Sequence, residues 1–256
     1  VLSRVEKRGV FLFVTWVLTL IVVLSALTML EAAFHSMPCS HTIASVGWAG
    51  HIVSRSFNGQ DDIVSVSGSW TVPAVNGSNG DGHSSTWIGI GGQEDKTLIQ
   101  VGTEHNVYSG QSYYNAWYEM LPALSIRIDN FNISPGDQIS AKIALVNDEA
   151  NQWNIQIIDL TSGRSFNRDF QYNSTRSSGE WIVERSLVNG QITNLADFGS
   201  VYFTDCTVQV WDRTGKIDDF TYSVVQMTNQ QYERLATAYD LRADGMSFTV
   251  KYERGT

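Results

Sequence analysis

The chain has 256 residues, 43% of them hydrophobic, enough to bury one substantial core. Its formal net charge of −9, with no clustered lysine and arginine beyond the first few residues, excludes a phosphate-binding surface, so no nucleic-acid partner is expected. A charged fraction of only 17% suits an exported protein in an acid setting, where carboxylates neutralise, and equally an ordinary acidic surface.

Arg4, Lys7 and Arg8 precede an uncharged apolar run at residues 9–30, which Glu31 closes. About 20 apolar residues suffice to cross a bilayer. Residues 1–36 therefore read as a hydrophobic leader helix, a signal peptide or a membrane anchor, ahead of a folded body at 37–256. The run is longer than the ~7–15 residues of an ordinary signal-peptide core, so cleavage and retention as a tether both stay open. Basic residues on the N-terminal side send the body outward, to the extracellular space or the outer face of the membrane. Cys39 and Cys206 permit one disulfide and lack the paired spacing of a zinc site.

From Ile63, the residues Val64, Val66, Gly68, Trp70 and Val72 alternate with Ser65, Ser67, Ser69 and Thr71 until Pro73, the pattern of a half-buried strand. Residues 74–85, rich in Gly, Asn and Ser, read as a long loop. Further alternating runs lie at 86–90, 98–107, 113–120, 139–146, 153–160, 180–186, 200–211 and 246–252, with turn signals at 108–111, 134–137, 161–163 and 213–215. Many short strands between regular turns predict an all-β fold, an antiparallel β-sandwich of two sheets in the jelly-roll or concanavalin-like class. One helix is predicted at 229–241, where Tyr232, Leu235, Ala236 and Tyr239 fall at helical spacing.

Strand counting also sorts the polar residues. Leu98, Gln100, Gly102 and Glu104 leave the face that bears Ile99, Val101 and Thr103. Tyr113, Asn115, Trp117 and Glu119 share a second face, and Glu180, Ile182, Glu184 and Ser186 a third, opposite Trp181 and Val183. Faces rich in amide, carboxylate and aromatic groups fit a substrate cleft, but alternation is the default of antiparallel sheets and by itself favours a solvated sheet face. Asp-Thr-Gly and Asp-Ser-Gly pairs, Gly-x-Ser-x-Gly and His-Glu-x-x-His are all missing from the sequence. The five histidines (His35, His41, His51, His83 and His105) are scattered, and no metal or cofactor is expected.

Five motifs in order are more specific. They are Trp-Ile-Gly-Ile-Gly-Gly at 87–92, Leu-Ile-Gln-Val-Gly-Thr at 98–103, Ala-Trp-Tyr-Glu-Met-Leu-Pro at 116–122, Gly-Glu-Trp-Ile-Val-Glu-Arg at 179–185 and Ala-Asp-Phe-Gly-Ser-Val-Tyr-Phe-Thr-Asp at 196–205. With Ser-Trp-Thr-Val-Pro at 69–73, this series resembles the glutamic peptidases, or eqolisins, from about residue 47 to residue 205. The resemblance implies a β-sandwich acid endopeptidase, monomeric and acting on protein or peptide substrates. Its catalytic dyad would be Gln100 and Glu184, with Trp117 and Glu119 beside it and Trp87 and Tyr113 as further supporting or substrate-binding residues. Where the fungal members carry an aspartate after Trp-Val-Gly-Ile, this chain has Gly91, which leaves Glu94, Asp95 or Glu104 to support Gln100.

In that reading Glu184, with an ordinary carboxylate pKa of about 4.3, deprotonates water in mild acid while Gln100 donates to the oxyanion. The competing reading is a carbohydrate-active or carbohydrate-binding jelly roll. Glu180 and Glu184 stand about 13 Å apart on one strand, outside the ~5–9.5 Å glycosidase window, although Glu119 with Glu184 across strands would fit it.

Overall fold

Runs of period two, punctuated by glycine and asparagine turns, give a chain built of strands. The computed structural model describes residues 40–54, 62–93, 96–188 and 190–253. In order these form β1 (Ser40–Ser45), β2 (Trp48–Ser54), β3 (Ile63–Thr71), β4 (Gly82–Gly91), β5 (Leu98–Tyr108) and β6 (Gln111–Met120). They continue through β7 (Ile126–Arg127), β8 (Gln138–Asn147), β9 (Gln152–Asp159), β10 (Ser165–Gln171), β11 (Ser178–Glu184) and β12 (Leu187–Val188). The last are β13 (Gln191–Ile192), β14 (Ser200–Val210), β15 (Arg213–Lys216), β16 (Tyr222–Thr228), β17 (Arg234–Ala238) and β18 (Phe248–Tyr252).

One continuous ladder runs β10-β9-β8-β3-β14-β18-β17-β16-β2-β11-β4-β5-β6-β7, where two separate sheets were expected. Neighbours along it are antiparallel, and β1 joins β16 in parallel register. The ladder folds back on itself, because strands far apart in this order touch through buried indoles. Trp181 of β11 donates its Nε1–H to the Ser67 carbonyl of β3 at 2.8 Å, and Trp70 of β3 donates to Thr103 Oγ1 of β5 at 3.0 Å. A buried indole N–H needs such a partner. Close approach also requires Gly68, where a Cβ would sit 2.8 Å from Trp181 Cδ1. Val66, Trp70, Ile88, Val101, Ile155 and Phe203 belong to the main core. A smaller cluster of Ile52, Trp87, Leu98, Trp117, Ile182 and Val225 lies beside it and carries the face on which the candidate residues stand.

The helix predicted at 229–241 is not formed. Tyr232 adopts a left-handed φ of +65°, and Arg234–Ala238 pair with both β16 and β18. Two flanking strands satisfy those backbone groups, which outweighs a weak helical periodicity. The predicted loop at 74–85 ends early, since Gly82–Ser85 already belong to β4 and pair with β5. The leader helix, the tether at 9–30 and Cys39 lie outside the described residues, and Cys206 is a buried free thiol. Among the described residues no helix is long and apolar enough to cross a membrane.

Two buried histidines limit how acid a medium this core tolerates. His105 is fully buried and meets Thr103 Oγ1 through Nε2 at 2.8 Å, while His51 reaches the Tyr239 carbonyl through Nε2 at 3.0 Å. Burial pushes His105 down to about 3 and His51 to about 4 from an ordinary 6.5. The unfolded chain therefore takes up protons first, and the stability contributed by the neutral rings, complete above pH 6.5, is lost as pH falls towards 4 and 3. Each ring then costs about 1.4 kcal/mol per pH unit across its window. Thermal unfolding followed from pH 7 to pH 3 should show a declining Tm whose slope is reduced in His105→Gln. An equal slope in the variant would count against this account.

Candidate active site

Residues paired across antiparallel strands share a face of the sheet, so register alone aligns the candidate residues in rows. One row reads Glu180–Gly89–Gln100–Glu119 across β11, β4, β5 and β6. The next pair but one along the strands gives Ile182–Trp87–Gly102–Trp117, and the one beyond it Glu184–Ser85–Glu104–Asn115. Gln100, Glu119, Trp87, Trp117 and Glu184 thus occupy a single face, joined by the register of strands that counting along each one treats separately. Gly102 makes room for Trp87, since a Cβ there would lie 2.5 Å from the Trp87 Cβ.

Two indoles hold the Glu184 carboxyl. Trp87 donates its Nε1–H to Oε2 at 2.7 Å, and Trp48 of β2, paired with Glu184, supplies a second hydrogen bond. The Trp48 and Trp87 rings meet edge to face at 5.1 Å. Trp48 is the residue sequence reading missed. Its signal was the alternation Trp48–Gly50–Ile52, in a stretch where no strand was predicted. Desolvation among these rings pushes the Glu184 carboxyl up to about 7. The two indole bonds oppose this rise and the nearby charge of Glu119 adds to it. The ordinary carboxylate value expected from sequence is therefore replaced by one that keeps a proton through mild acid.

Gln100 is 3% exposed and donates its Nε2–H to Glu119 Oε2 at 2.5 Å. Its Oε1 has no hydrogen-bond partner among the described residues, a buried acceptor available to a water or a substrate. Burial also raises the Glu119 carboxyl, against hydrogen bonds from Gln100 and the Ser125 backbone. Glu119 is thus the carboxylate that supports Gln100. Glu104, considered for that role, instead accepts from Asn106 Nδ2 at 3.0 Å and Asn115 Nδ2 at 2.9 Å. Glu94 and Asp95 lie outside the described residues. Gly91 has a φ of +91°, and a Cβ there would sit 2.4 Å from the Thr97 carbonyl oxygen, so this backbone cannot carry the fungal aspartate without strain. Tyr113 shares the candidate face but stands four residues from Trp117 along β6, 46% exposed, its ring against Tyr108.

The model of the Peptidase A4 family matches residues 46–252, from just before β2 to the end of β18. The chain is 30% identical over 185 residues to aspergillopepsin-2 of Aspergillus niger, an alignment covering 63% of each chain, so it spans under two thirds of that relative's length. It is 27% identical over 209 residues to scytalidopepsin B of Scytalidium lignicola, covering 77% of this chain and 76% of the relative. Scytalido-glutamic peptidase with a transition state analog inhibitor shares the fold at a TM-score of 0.69 and 24% identity, covering 82% of this chain and 99% of that one. Aspergilloglutamic peptidase from Aspergillus niger gives 0.60 at 28% identity, covering 67% and 99%. With a match running the length of the folded ladder, the chain belongs to the Peptidase A4 family.

Proposed function

We propose that this protein is a β-sandwich endopeptidase of the glutamic type, exported and active in acid, which hydrolyses peptide bonds with a Gln100/Glu184 dyad. The observation that carries the reading is a carboxyl with a strongly raised pKa, held by two indoles, on the same buried face as an amide whose carbonyl oxygen has no partner among the described residues. Perturbed acids beside convergent polar groups in one face are the usual mark of a catalytic site. One chain carries both members of the dyad, which accords with a monomer. The apolar run at 9–30 accords with export.

In this mechanism a water lies between the two dyad side chains and donates one hydrogen bond to Gln100 Oε1, which orients it. Glu184 removes its other proton as the oxygen attacks the peptide carbonyl. Gln100 has two N–H donors, one of them engaged by Glu119, and the second faces the developing oxyanion. Glu184 then returns the proton to the leaving nitrogen, so the carboxylate is regenerated. An amide keeps its donor at any pH, which suits work in acid.

The carboxyls of Glu184 and Glu119 feel one another and titrate as a pair. The first proton arrives as pH falls through about 7 and the second lower down. Between them the pair holds a single proton, and the reactive form is the arrangement in which Glu184 is the carboxylate base and Glu119 the neutral acid, whose lack of charge eases formation of the oxyanion. With unfolded protein as substrate, kcat/KM should peak in acid and fall about tenfold per pH unit above pH 7. Polysaccharides offered at the same pH should be left intact. A rate sustained to pH 8, or cleavage of polysaccharide alone, would overturn the reading.

A further inference from the structure

Two residues outward from the Gln100–Glu119 pair, a side chain from the far end of the ladder enters the hydrogen bonding between β5 and β6. Leu98 faces Leu121 there, one step past the Ile99–Met120 pair. A bonded antiparallel pair exchanges two N–H···O=C bonds. One is made directly, from the Leu121 N–H to the Leu98 carbonyl at 2.9 Å. In place of the other stands the Tyr172 hydroxyl, which accepts the Leu98 N–H at 2.7 Å and donates to the Leu121 carbonyl at 2.8 Å. Bonded and non-bonded pairs alternate, so the next bonded pair inward is Gln100–Glu119 itself.

Tyr172 directly follows β10 and is held in turn. Its N–H donates to the Asn151 carbonyl at 3.0 Å, and its carbonyl accepts the Ser174 N–H at 3.2 Å and the Nε1–H of the fully buried Trp153 at 2.9 Å. The Thr175 N–H donates to Thr97 Oγ1 at 3.1 Å, tying the same turn to the approach to β5. Leu121 opens the loop that returns at Ser125, whose backbone hydrogen-bonds the Glu119 carboxyl. Contacts therefore run from the Trp153 indole through Tyr172 and Leu121 to the carboxyl that supports Gln100. A hydroxyl between two backbones also keeps the Leu98 nitrogen and the Leu121 oxygen farther apart than the ~2.9 Å of a direct bond.

We propose that Tyr172 is a positioning residue for the oxyanion donor: its hydroxyl sets the spacing of β5 and β6 beside Gln100 and Glu119, and so the aim of the Gln100 amide. This rests on the endopeptidase reading and adds to it a residue that lies outside the candidate face. Without the hydroxyl, the Leu98 N–H and the Leu121 carbonyl either close on one another and draw the strand ends together, or lose their partner and release the start of the 121–125 loop. In both cases Gln100 and the Ser125 backbone shift against Glu119. Their hydrogen bonds oppose the rise of the Glu119 carboxyl, so loosening them lets it keep its proton to higher pH. The other ionisable groups on that face are Glu180 and Glu184 of β11, Glu104 of β5 and Arg127 of β7, each placed by register away from the Leu98–Leu121 pair.

Tyr172→Phe, which removes one oxygen and keeps the ring, tests this with unfolded protein as substrate. Its kcat should fall about tenfold with little change in KM, since small misplacements of a catalytic group are costly. The acid limb of its pH–rate profile should move to higher pH, a change that a simple loss of folded protein would not produce. A variant with a lowered Tm but the kcat and acid limb of the unsubstituted protein overturns the positioning role and leaves the peptidase reading in place. Should Tyr172→Phe fail to fold, Trp153→Phe removes only the bond to the Tyr172 carbonyl and should move the acid limb in the same direction by less. An unmoved limb there overturns the proposal as well. No cleavage by the unsubstituted protein in acid overturns the peptidase reading, and the role of Tyr172 with it.

Discussion

Glu184→Gln should reduce kcat by about 10²–10⁴ while peptide binding persists. The amide keeps the size of the side chain and an oxygen to accept the Trp87 N–H, and removes only the capacity to take and return a proton. The variant has a second, opposite signature. Glu184 titrates near 7 in the folded protein against 4.5 when unfolded, so the native state holds its proton over an interval where the unfolded chain has lost it. The stability this contributes is complete below 4.5 and is lost as pH rises through 7, by up to about 3 kcal/mol. Gln has no charge to desolvate. Glu184→Gln should therefore raise Tm at pH 7.5 and change it little at pH 4, as calorimetry at the two pH values would register. Inactivity together with a gain in stability at neutral pH is the pattern of a carboxylate held where catalysis needs it at the expense of the fold. A variant that cleaves normally would remove Glu184 from the mechanism.

Gln100→Ala should lower kcat by about 10²–10³ with a smaller change in KM, because the lost donor acts on charge that exists only after attack. The deletion also takes away one of the hydrogen bonds that oppose the rise in the Glu119 carboxyl pKa. The second protonation of the pair then moves to higher pH, and the acid limb of the rate profile should shift upwards with it. A pH–rate profile of the variant separates this from a folding defect, which would lower activity at every pH alike. Unaltered kcat would show that the amide at position 100 is not the oxyanion donor.

Much of this site is legible in the alternation of side chains. Counting by twos puts Gln100 and Glu104 away from Ile99 and Val101, and Glu184 away from Val183, and the register of β4, β5, β6 and β11 places them on those faces. Two-residue periodicity is a local property of extended backbone, so it survives without knowledge of any neighbour. Where local periodicity was ambiguous the reading failed. Residues 234–238 look helical by spacing, yet β16 and β18 offer hydrogen bonds on both sides and make them a strand.

By itself, then, the sequence determined the strands β4, β5, β6 and β11, the faces they present and the residue types available for acid–base work on one of them. Only the tertiary structure decided which of those residues meet. Trp48 reaches Glu184 because β2 lies against β11, and Glu119 finds Gln100 because β6 lies against β5. The pKa of Glu184 belongs to this second category. An isolated carboxylate titrates near its ordinary value, and the shift to about 7 arises when indoles replace water around it and a second carboxyl is brought near. Desolvation and charge proximity depend on distances in space, which strands remote along the chain establish only when the ladder closes over them.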